Sequence, residues 1–127
     1  MYWCYHCYAH NDCSTRFCAR CGQSVEAPAE LSYNERLCWT LGHPDGDRAV
    51  LAAQSLGARQ ARSALPALRK AVDENRDPFV AVAALHSAIV IAGVEELRSW
   101  LERLSESDGF MVRTVAHEAL QERRTLG

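Results

Sequence analysis

The chain lacks the basic excess that nucleic-acid-binding domains usually carry. Its 127 residues hold 14 Lys and Arg against 16 Asp and Glu, a formal net charge of −2. Because proteins that bind phosphate backbones neutralise them with Lys and Arg, general DNA or RNA binding is disfavoured. Glycine and proline are also few, with 7 and 4 residues. This composition favours helices, and the length favours one compact domain with at most a small appendage.

The sequence predicts neither a targeting segment nor a membrane span. The N-terminal residues show no basic segment followed by an apolar run, so no signal peptide is expected. We find no apolar stretch of about 18 residues, so no membrane span is expected. These features predict a cytoplasmic protein, in a compartment where thiols stay reduced and paired cysteines usually hold metal.

What the chain has instead is a cysteine cluster at its start, MYWCYHCYAHNDCSTRFCARCG. Four cysteines form two C-x-x-C pairs, Cys4/Cys7 and Cys18/Cys21, with ten residues between the pairs. Each pair lets one tight turn direct two sulfurs at one ion, and two pairs complete the tetrahedron that Zn²⁺ accepts. We predict one structural Zn²⁺ per chain, with no coordination position left open for catalysis. The alternative, two disulfides, would need an oxidising compartment.

Three further residues of this stretch could in principle replace a ligand: Cys13, His6 and His10. His6 lies inside the first C-x-x-C turn and is expected to point away from the ion. Cys13 lies in the middle of the intervening loop and is expected to be a spare thiol.

The stretch resembles the short bacterial zinc-ribbon module over residues 2–24. "CYHCY" corresponds to the first cysteine turn of that module and "FCARCG" to the second. Tyr8 departs from the pattern, because the module usually has glycine there. The resemblance implies a small zinc-ribbon domain, here residues 1–27.

Aromatic residues are unusually dense in this segment: Tyr2, Trp3, Tyr5, Tyr8 and Phe17. Five exceed what a ribbon of about 25 residues can bury by itself. Some are therefore expected to pack on the following helices or to contact a partner, since aromatic side chains are favoured at interfaces. Tyr2, Trp3, Tyr5 and Tyr8 are the candidate partner contacts.

The remainder of the chain repeats itself. After a linker at "SVEAPAE", three Ala-rich helical segments occupy residues 47–57, 78–89 and 109–120. They alternate with second helices at "SALPALRKAVDE" and "GVEELRSWLERL". Self-similarity at about 30 residues, built from paired helices, predicts an α-solenoid.

Residues 32–122 resemble HEAT repeats, particularly the short bacterial type related to those of phycobilin lyases. "FMVRTVAHEAL" is closest to the usual V-R-x-x-A-x-x-A-L pattern, whereas residues 48 and 81 depart from the usual V-R. The resemblance implies an all-α, HEAT-like solenoid of five to six helices over residues 28–127, after the ribbon. Phycobilin-lyase activity does not transfer with it, because a fold does not fix a function.

No catalytic set emerges from the helices, and no catalytic residue is assigned. The sequence has no glycine-rich phosphate loop, no nucleophile elbow and no H-E-x-x-H. His43, His86 and His117 fall one per repeat at non-equivalent positions, and His86 is expected to be a core or groove residue. Cys38 lies on an apolar helix, where thiols are usually buried and inert.

Two surfaces remain as candidates for partners. Five cations crowd the second unit and could take an acidic peptide or a phosphate backbone, unless they form an ordinary charged surface: Arg59, Arg62, Arg69, Lys70 and Arg76. The last helix, about 109–123, lacks a second helix after it. It would expose Val112, Val115 or Leu120 unless it folds back on the 94–104 helix, which predicts docking through the C-terminal end.

The leading hypothesis is a non-catalytic protein–protein interaction module, such as an adaptor or an accessory subunit that stabilises a larger complex. Its expected partner is another protein or a second copy, with no membrane and no small-molecule substrate. The alternative is a translation or transcription factor that uses the ribbon and the Arg59–Arg76 surface on nucleic acid. A lyase or repair enzyme built on HEAT helices is the third possibility.

Overall fold

The computed structural model describes residues 2–12, 15–74 and 76–126. Two short strands, β1 (Tyr2–Trp3) and β2 (His10–Asn11), pair antiparallel near the N-terminus. The helices that follow are α1 (Tyr33–Thr40), α2 (Gly46–Ala58), α3 (Leu65–Glu74), α4 (Pro78–Leu104) and α5 (Phe110–Leu126), with a 3₁₀ turn at Arg62–Ala64. The predicted all-α architecture is confirmed.

Helix starts follow from side-chain caps that can be read in the sequence. The hydroxyl of Ser32 accepts a hydrogen bond from the backbone N–H of Glu35, 3.1 Å away, at the start of α1. Asp45 and Asp77 cap α2 and α4 in the same manner. These caps satisfy backbone donors that have no partner within their own helix.

The helices stack as a short solenoid around α4. Helix α2, helix α3 and helix α5 all pack on α4, and α1 packs on α2. The side chains that fill the shared core are apolar and almost fully enclosed: Leu56, Leu68, Val72, Leu85, Trp100 and Leu101. Each helix pair therefore buries its apolar side only by contact with the next pair, as in other repeat proteins.

Helix α4 is two helices joined at a single residue. Gly93 has φ 84° and ψ 163°, which is not helical, so the two segments 78–92 and 94–104 change direction there. A positive φ of this kind favours glycine because other residues would be strained. The boundary between first and second helix that the repeat pattern predicted lies at this residue.

By length and composition, α4 also resembles a membrane-spanning helix, which the sequence did not suggest. An 18-residue window in it has a mean hydropathy of 1.8, and one third of that window (33%) is buried in the fold. A core helix meets the same criteria as a membrane span. The break at Gly93 and the packing of α2, α3 and α5 against α4 favour a core helix.

Close approach of α2 and α4 depends on one glycine. A Cβ atom at Gly57 would lie 2.6 Å from the Oγ atom of Ser87 and 3.1 Å from its Cα atom. The Ser87 hydroxyl uses this proximity to donate a hydrogen bond to the carbonyl oxygen of Ala53 at 2.5 Å. The two helix backbones can therefore pack directly on each other.

We expect Gly57→Ala to destabilise the protein by about 1 kcal/mol, although alanine is the better helix former. Helix propensity contributes about 1 kcal/mol in favour of alanine, but steric overlap in a packed interface costs about 1–3 kcal/mol. Urea unfolding followed by circular dichroism measures the change. The exposed Gln54→Ala on the same helix is the control and should change the free energy of unfolding by less than about 0.5 kcal/mol. A Gly57→Ala protein more stable than wild type would contradict the packing.

The apolar residues within 112–120 of α5 pack against the rest of the fold. Helix α5 folds back on α4, and the side chain of Val112 is only 2% exposed. Val115 and Leu120 are half-buried in the same contact. Polar residues, including His117 and Glu118, occupy exposed positions of α5. Of the two outcomes that the sequence left open for Val112, exposure at the C-terminal end or burial by folding back, the structure shows burial against α4.

Candidate metal centre and its junction with the helices

Two similar backbone turns present the four N-terminal cysteines. In the first turn, the N–H of Tyr8 donates to the carbonyl oxygen of Cys4 at 2.8 Å. In the second, the N–H of Gly22 donates to the carbonyl oxygen of Cys18 at 2.9 Å. Tyr8 and Gly22, four residues after the first cysteine of each turn, both have positive φ, at 64° and 77°. The sequence spacing of the two C-x-x-C pairs thus produces two matching turns.

These turns bring the four sulfurs together. The ligand atoms of Cys4, Cys7, Cys18 and Cys21 all lie within 4.8 Å of one another. The Sγ atoms of Cys4 and Cys21 are 3.7 Å apart, and those of Cys7 and Cys18 are 3.6 Å apart. The cysteines are free thiols, not disulfides. One metal ion could contact all four sulfurs.

Polar donors surround one of the sulfurs. The Sγ atom of Cys18 receives the backbone N–H of Arg20 at 3.3 Å and the side-chain amide of Asn11 at 3.6 Å. Asn11 is itself buried, and its carbonyl oxygen accepts the N–H of Ala19. Hydrogen bonds from the N–H of Cys21, the N–H of Arg20 and the Asn11 amide lower the pKa of the Cys18 thiol to about 6.

The neighbouring thiol shifts in the opposite direction. The N–H of Ala9 favours the Cys7 thiolate, but burial and the sulfurs of Cys18, Cys21 and Cys4 outweigh it. The pKa of Cys7 rises to about 12 as a result. Ionising all four thiols at these distances costs free energy, because the negative charge of each thiolate disfavours ionisation of the next thiol.

The other candidate ligands do not join this cluster. Among the described residues, the metal-competent group consists of the four cysteines and includes neither His6 nor His10. His6 is exposed beside the ring of Tyr5, and His10 is exposed and stacks on Trp3 with 4.4 Å between ring centroids. Cys13 lies outside the described residues.

The N-terminal part that carries the four cysteines, residues 2–25 (the cysteine segment), is held on the helices by one tryptophan of α1. The Trp39 ring stacks on Tyr8 and Tyr5, with centroid distances of 4.8 and 5.8 Å. Its Nε1–H donates to the carbonyl oxygen of Tyr5 at 2.6 Å. The Tyr8 hydroxyl donates to the carbonyl oxygen of Trp39 at 2.7 Å. Two hydrogen bonds and two stacked rings thus fix both segments to each other.

His43, just after α1, completes the junction. Its ring meets the rings of Trp3, Trp39 and Tyr8 edge-on, and it is only 6% exposed. The Nδ1 atom accepts the N–H of Asp45 at 2.9 Å, so the proton of the neutral ring is on Nε2, an atom with no hydrogen-bond partner among the described residues. Burial lowers the pKa of His43, and the charge of Arg48 lowers it further. The ring is therefore a neutral packing group.

The contacts of Tyr8 explain why a tyrosine can stand where the zinc-ribbon pattern usually has glycine. Its φ of 64° is a conformation that glycine adopts without strain and tyrosine does not. The tyrosine side chain compensates by stacking on Trp39 and bonding to its carbonyl oxygen. The residue that departs from the zinc-ribbon pattern is thus the one that attaches the turn to the helices.

The aromatics proposed as partner contacts are therefore largely engaged within the chain. Trp3, Tyr5 and Tyr8 are half-buried. Tyr5 and Tyr8 stack on Trp39 of α1, and Trp3 contacts His43 just after α1. Of the two outcomes the sequence left open, packing on the helices is the one the structure shows for these three. The backbone of Tyr2 pairs with Asn11, while its side chain lies outside the described part. Phe17 remains exposed.

The cations of the predicted basic surface also contact other residues of the same chain. Arg62 bonds to Glu96, and the Arg69 guanidinium lies 5.0 Å from the ring centroid of Trp100. Trp100 in turn donates its Nε1–H to Asp73 at 3.0 Å. The remaining three cations also have partners: Arg59 with Asn34 and Tyr33, and Lys70 and Arg76 with Glu74. Arg62 and Arg69 thus connect neighbouring helices.

The remaining candidate residues do not assemble into a site. His86 and His117 are exposed, so of the two positions expected for His86, core or groove, the core position is wrong. Cys38 is half-buried on α1, and burial raises the pKa of its thiol. The charge of Glu35 raises it further.

Comparison with known proteins assigns the helical part. A family model described as HEAT repeats matches residues 34–121, well over half of the chain. No curated protein and no solved structure matches the sequence.

Proposed function

The chain belongs to the HEAT-repeat family, and from this premise we propose that it is a non-catalytic protein–protein interaction module. It would serve as a small adaptor or as an accessory subunit that stabilises a larger cytoplasmic complex. HEAT repeats are commonly protein-interaction modules, although a fold alone does not define a function. The proposal therefore rests on the surfaces and the metal centre of this chain.

The metal centre is proposed to be a structural zinc ribbon. A tetrahedral zinc with sulfurs at about 2.3 Å places those sulfurs about 3.8 Å apart; the Cys4–Cys21 and Cys7–Cys18 distances are 3.7 and 3.6 Å, and all four sulfurs lie within 4.8 Å of one another. Four thiolates would fill the coordination sphere and leave no position for water or substrate. The donors to Cys18 from Asn11 and Arg20 match the second shell that usually orients metal ligands.

Exposed apolar side chains on three of the described helices are the observation that carries the interaction role. Leu51 on α2, Phe79 on α4 and Phe110 on α5 are 62%, 66% and 69% exposed. Phe79 and Phe110 are 31 residues apart, the repeat length, and each lies at the start of its helix. Equivalent positions of stacked repeats share one side of the array, and Leu51 lies one helical turn after Asp47, the α2 position equivalent to Phe79 when counted from the N-caps. We group these three residues as an apolar edge (Leu51, Phe79 and Phe110).

The apolar edge has the composition of a protein-binding surface. Large exposed apolar residues in register are uncommon on isolated soluble domains, and phenylalanine is enriched at interfaces. Asp47 and Asp108, near the starts of α2 and α5, are exposed and have no ion pair among the described residues. A protein partner with an apolar face and nearby Lys or Arg would complement this edge.

The nucleic-acid alternative has less support than it had from sequence. It depended on the ribbon and on the cations of residues 59–76, and of these cations Arg59, Arg62 and Arg69 contact an acceptor or a ring in their own chain. A phosphate backbone would have to displace those contacts. We therefore propose a protein partner rather than DNA or RNA.

We expect Phe79→Gln combined with Phe110→Gln to abolish partner capture with little change in folding. Both side chains are mostly exposed, so the free energy of unfolding should change by less than about 1 kcal/mol. The test is affinity capture of the tagged full chain at native expression, followed by reconstitution with the purified partner. Partner affinity should fall at least tenfold, because buried aromatic residues dominate interface energies.

The control for this experiment is Tyr33→Gln combined with Val90→Gln. Tyr33 and Val90 are also exposed apolar residues, but Tyr33 lies on α1, which carries no residue of the apolar edge, and Val90 lies near the middle of α4, far from its start. The control protein should bind the partner as wild type does. Equal binding by the apolar-edge variant and by wild type would contradict the proposed surface.

A further inference from the structure

A cavity of about 600 Å³ lies where the cysteine segment meets the helices. One wall comes from Tyr8 and the chain between α1 and α2, residues 42–46, and the other from α3 and the start of α4. Its volume falls in the range typical of small-ligand sites. It lies outside the cluster of four cysteines and does not include the apolar edge.

The apolar part of the cavity lining comes from small and aliphatic side chains. Leu41, Ala67, Ala71 and Val80 contribute it. Ala67 and Ala71 are four residues apart on α3 and therefore share one face of that helix. Because neither alanine extends beyond its Cβ atom, the space between α1 and α3 stays open to an apolar group.

Two cations at the rim share a single carboxylate. The Nζ atom of Lys70 and the Nε atom of Arg76 lie 3.8 and 3.6 Å from the carboxylate of Glu74. The nearest further acceptor of Arg76 is the carbonyl oxygen of Gly42, at 3.5 Å. All three distances exceed those of strong charge-assisted hydrogen bonds. Lys70 and Arg76 therefore have donors to spare, while the cavity lining as a whole carries no net charge, because Glu74 and Asp77 balance the two cations.

The same rim disfavours a phosphate. The start of α4 would be the natural phosphate position, but Asp77 already occupies it by accepting the N–H of Phe79 at 2.9 Å. Asp77 and Glu74 would both repel a dianion. A monoanion with an apolar body matches the apolar lining and the spare donors of Lys70 and Arg76, and these carboxylates repel it less than they repel a dianion.

We propose that this cavity binds a carboxylate with an apolar body, with Lys70 and Arg76 on the carboxylate and the apolar part between α1 and α3. The carboxylate has two possible sources, the C-terminus of a peptide or a free aliphatic acid. The inference does not depend on the apolar edge, and because Tyr8 lines the cavity, the cysteine segment contributes to the site.

Lys70 provides a selective probe because it is the only lysine of the chain. Reductive methylation with ¹³C-formaldehyde keeps its charge and gives one lysine methyl resonance for NMR. The metal-loaded full chain is titrated with sodium octanoate, with a leucine-ended tripeptide bearing a free carboxylate, and with the amide of that tripeptide. Inorganic phosphate is the fourth arm.

A saturable shift of the Lys70 resonance with a carboxylate, and none with the amide, is the expected result. A response to the tripeptide alone assigns a peptide C-terminus as the source, and a response to octanoate alone assigns a free acid. Arg76→Gln should weaken binding about fivefold, as expected for an exposed ion pair, and Ala71→Phe should block the cavity. Arg98→Gln is the charge-matched control, since Arg98 lies outside the cavity, and should change the affinity less than twofold.

Three results would overturn the proposal. The first is no saturable shift with either carboxylate up to about 10 mM, well above a millimolar dissociation constant. The second is a larger response to phosphate than to the carboxylates. The third is equal binding by the Arg76→Gln, Arg98→Gln and wild-type proteins, which would place binding elsewhere even if Ala71→Phe failed to fold.

Discussion

Replacing Trp39 with leucine should cost about 3 kcal/mol of stability and release the cysteine segment from the helices. The variant loses the stacking on Tyr5 and Tyr8 and the hydrogen bond to the carbonyl oxygen of Tyr5. Truncation of a packed tryptophan typically costs 3–5 kcal/mol, and the half-buried state of Trp39 favours the lower end. Leucine preserves the helix, so the loss belongs to the junction.

Two measurements separate this effect from general destabilisation. Urea unfolding gives the free energy, and ¹⁵N relaxation shows whether residues 2–25 tumble with the helices. The control is Tyr33→Leu on the same helix, since Tyr33 is exposed and lies away from the junction. The control should change stability by less than about 1 kcal/mol. A Trp39→Leu protein whose N-terminal residues still tumble with the helices would contradict a junction held by this residue.

Metal removal should unfold the N-terminal segment while leaving the helices folded. The small core of this segment consists of Cys4, Cys18 and Val25, with Cys7 and Ala9 beside them. Three of these five are proposed ligands, so little apolar packing remains without the ion. Modules of this size rarely fold without metal or disulfides. Helices α2 to α5 have a separate core that includes Leu56, Leu85 and Trp100.

Trypsin digestion and circular dichroism test this expectation together. After chelation, the exposed Arg16 and Arg20 should become rapid cleavage sites, while most of the helical signal persists. Metal analysis of the native protein should find about one zinc per chain, and Cys38→Ser should not change that number. Full protection of Arg16 and Arg20 in the metal-free protein would show that the metal does not hold the segment.

The repeat architecture could be predicted because it depends on local patterns. Apolar periodicity predicted the helices. Ser32 with Glu35 predicted the start of α1, where the structure shows the hydrogen bond between them. Matching C-x-x-C spacings likewise indicated that four sulfurs would meet. Each of these features involves residues close in sequence, where spacing alone constrains geometry.

The features that the sequence missed depend on contacts between distant segments. Whether Tyr5 and Tyr8 face a helix or a partner is decided by Trp39, more than 30 residues away. The burial of Val112 required knowing that α5 folds back on α4. The cavity beside Lys70 arises between α1 and α3, whose separation no local pattern specifies.

X-ray absorption at the zinc edge of the purified full chain tests the central claim most directly, because it reports the atoms bound to the metal. A closed structural site predicts four sulfur ligands at about 2.3 Å and no nitrogen or oxygen ligand. The ligands would be Cys4, Cys7, Cys18 and Cys21. Three sulfurs with a bound water or histidine would contradict the account, since an open or mixed site would make catalysis at the metal possible.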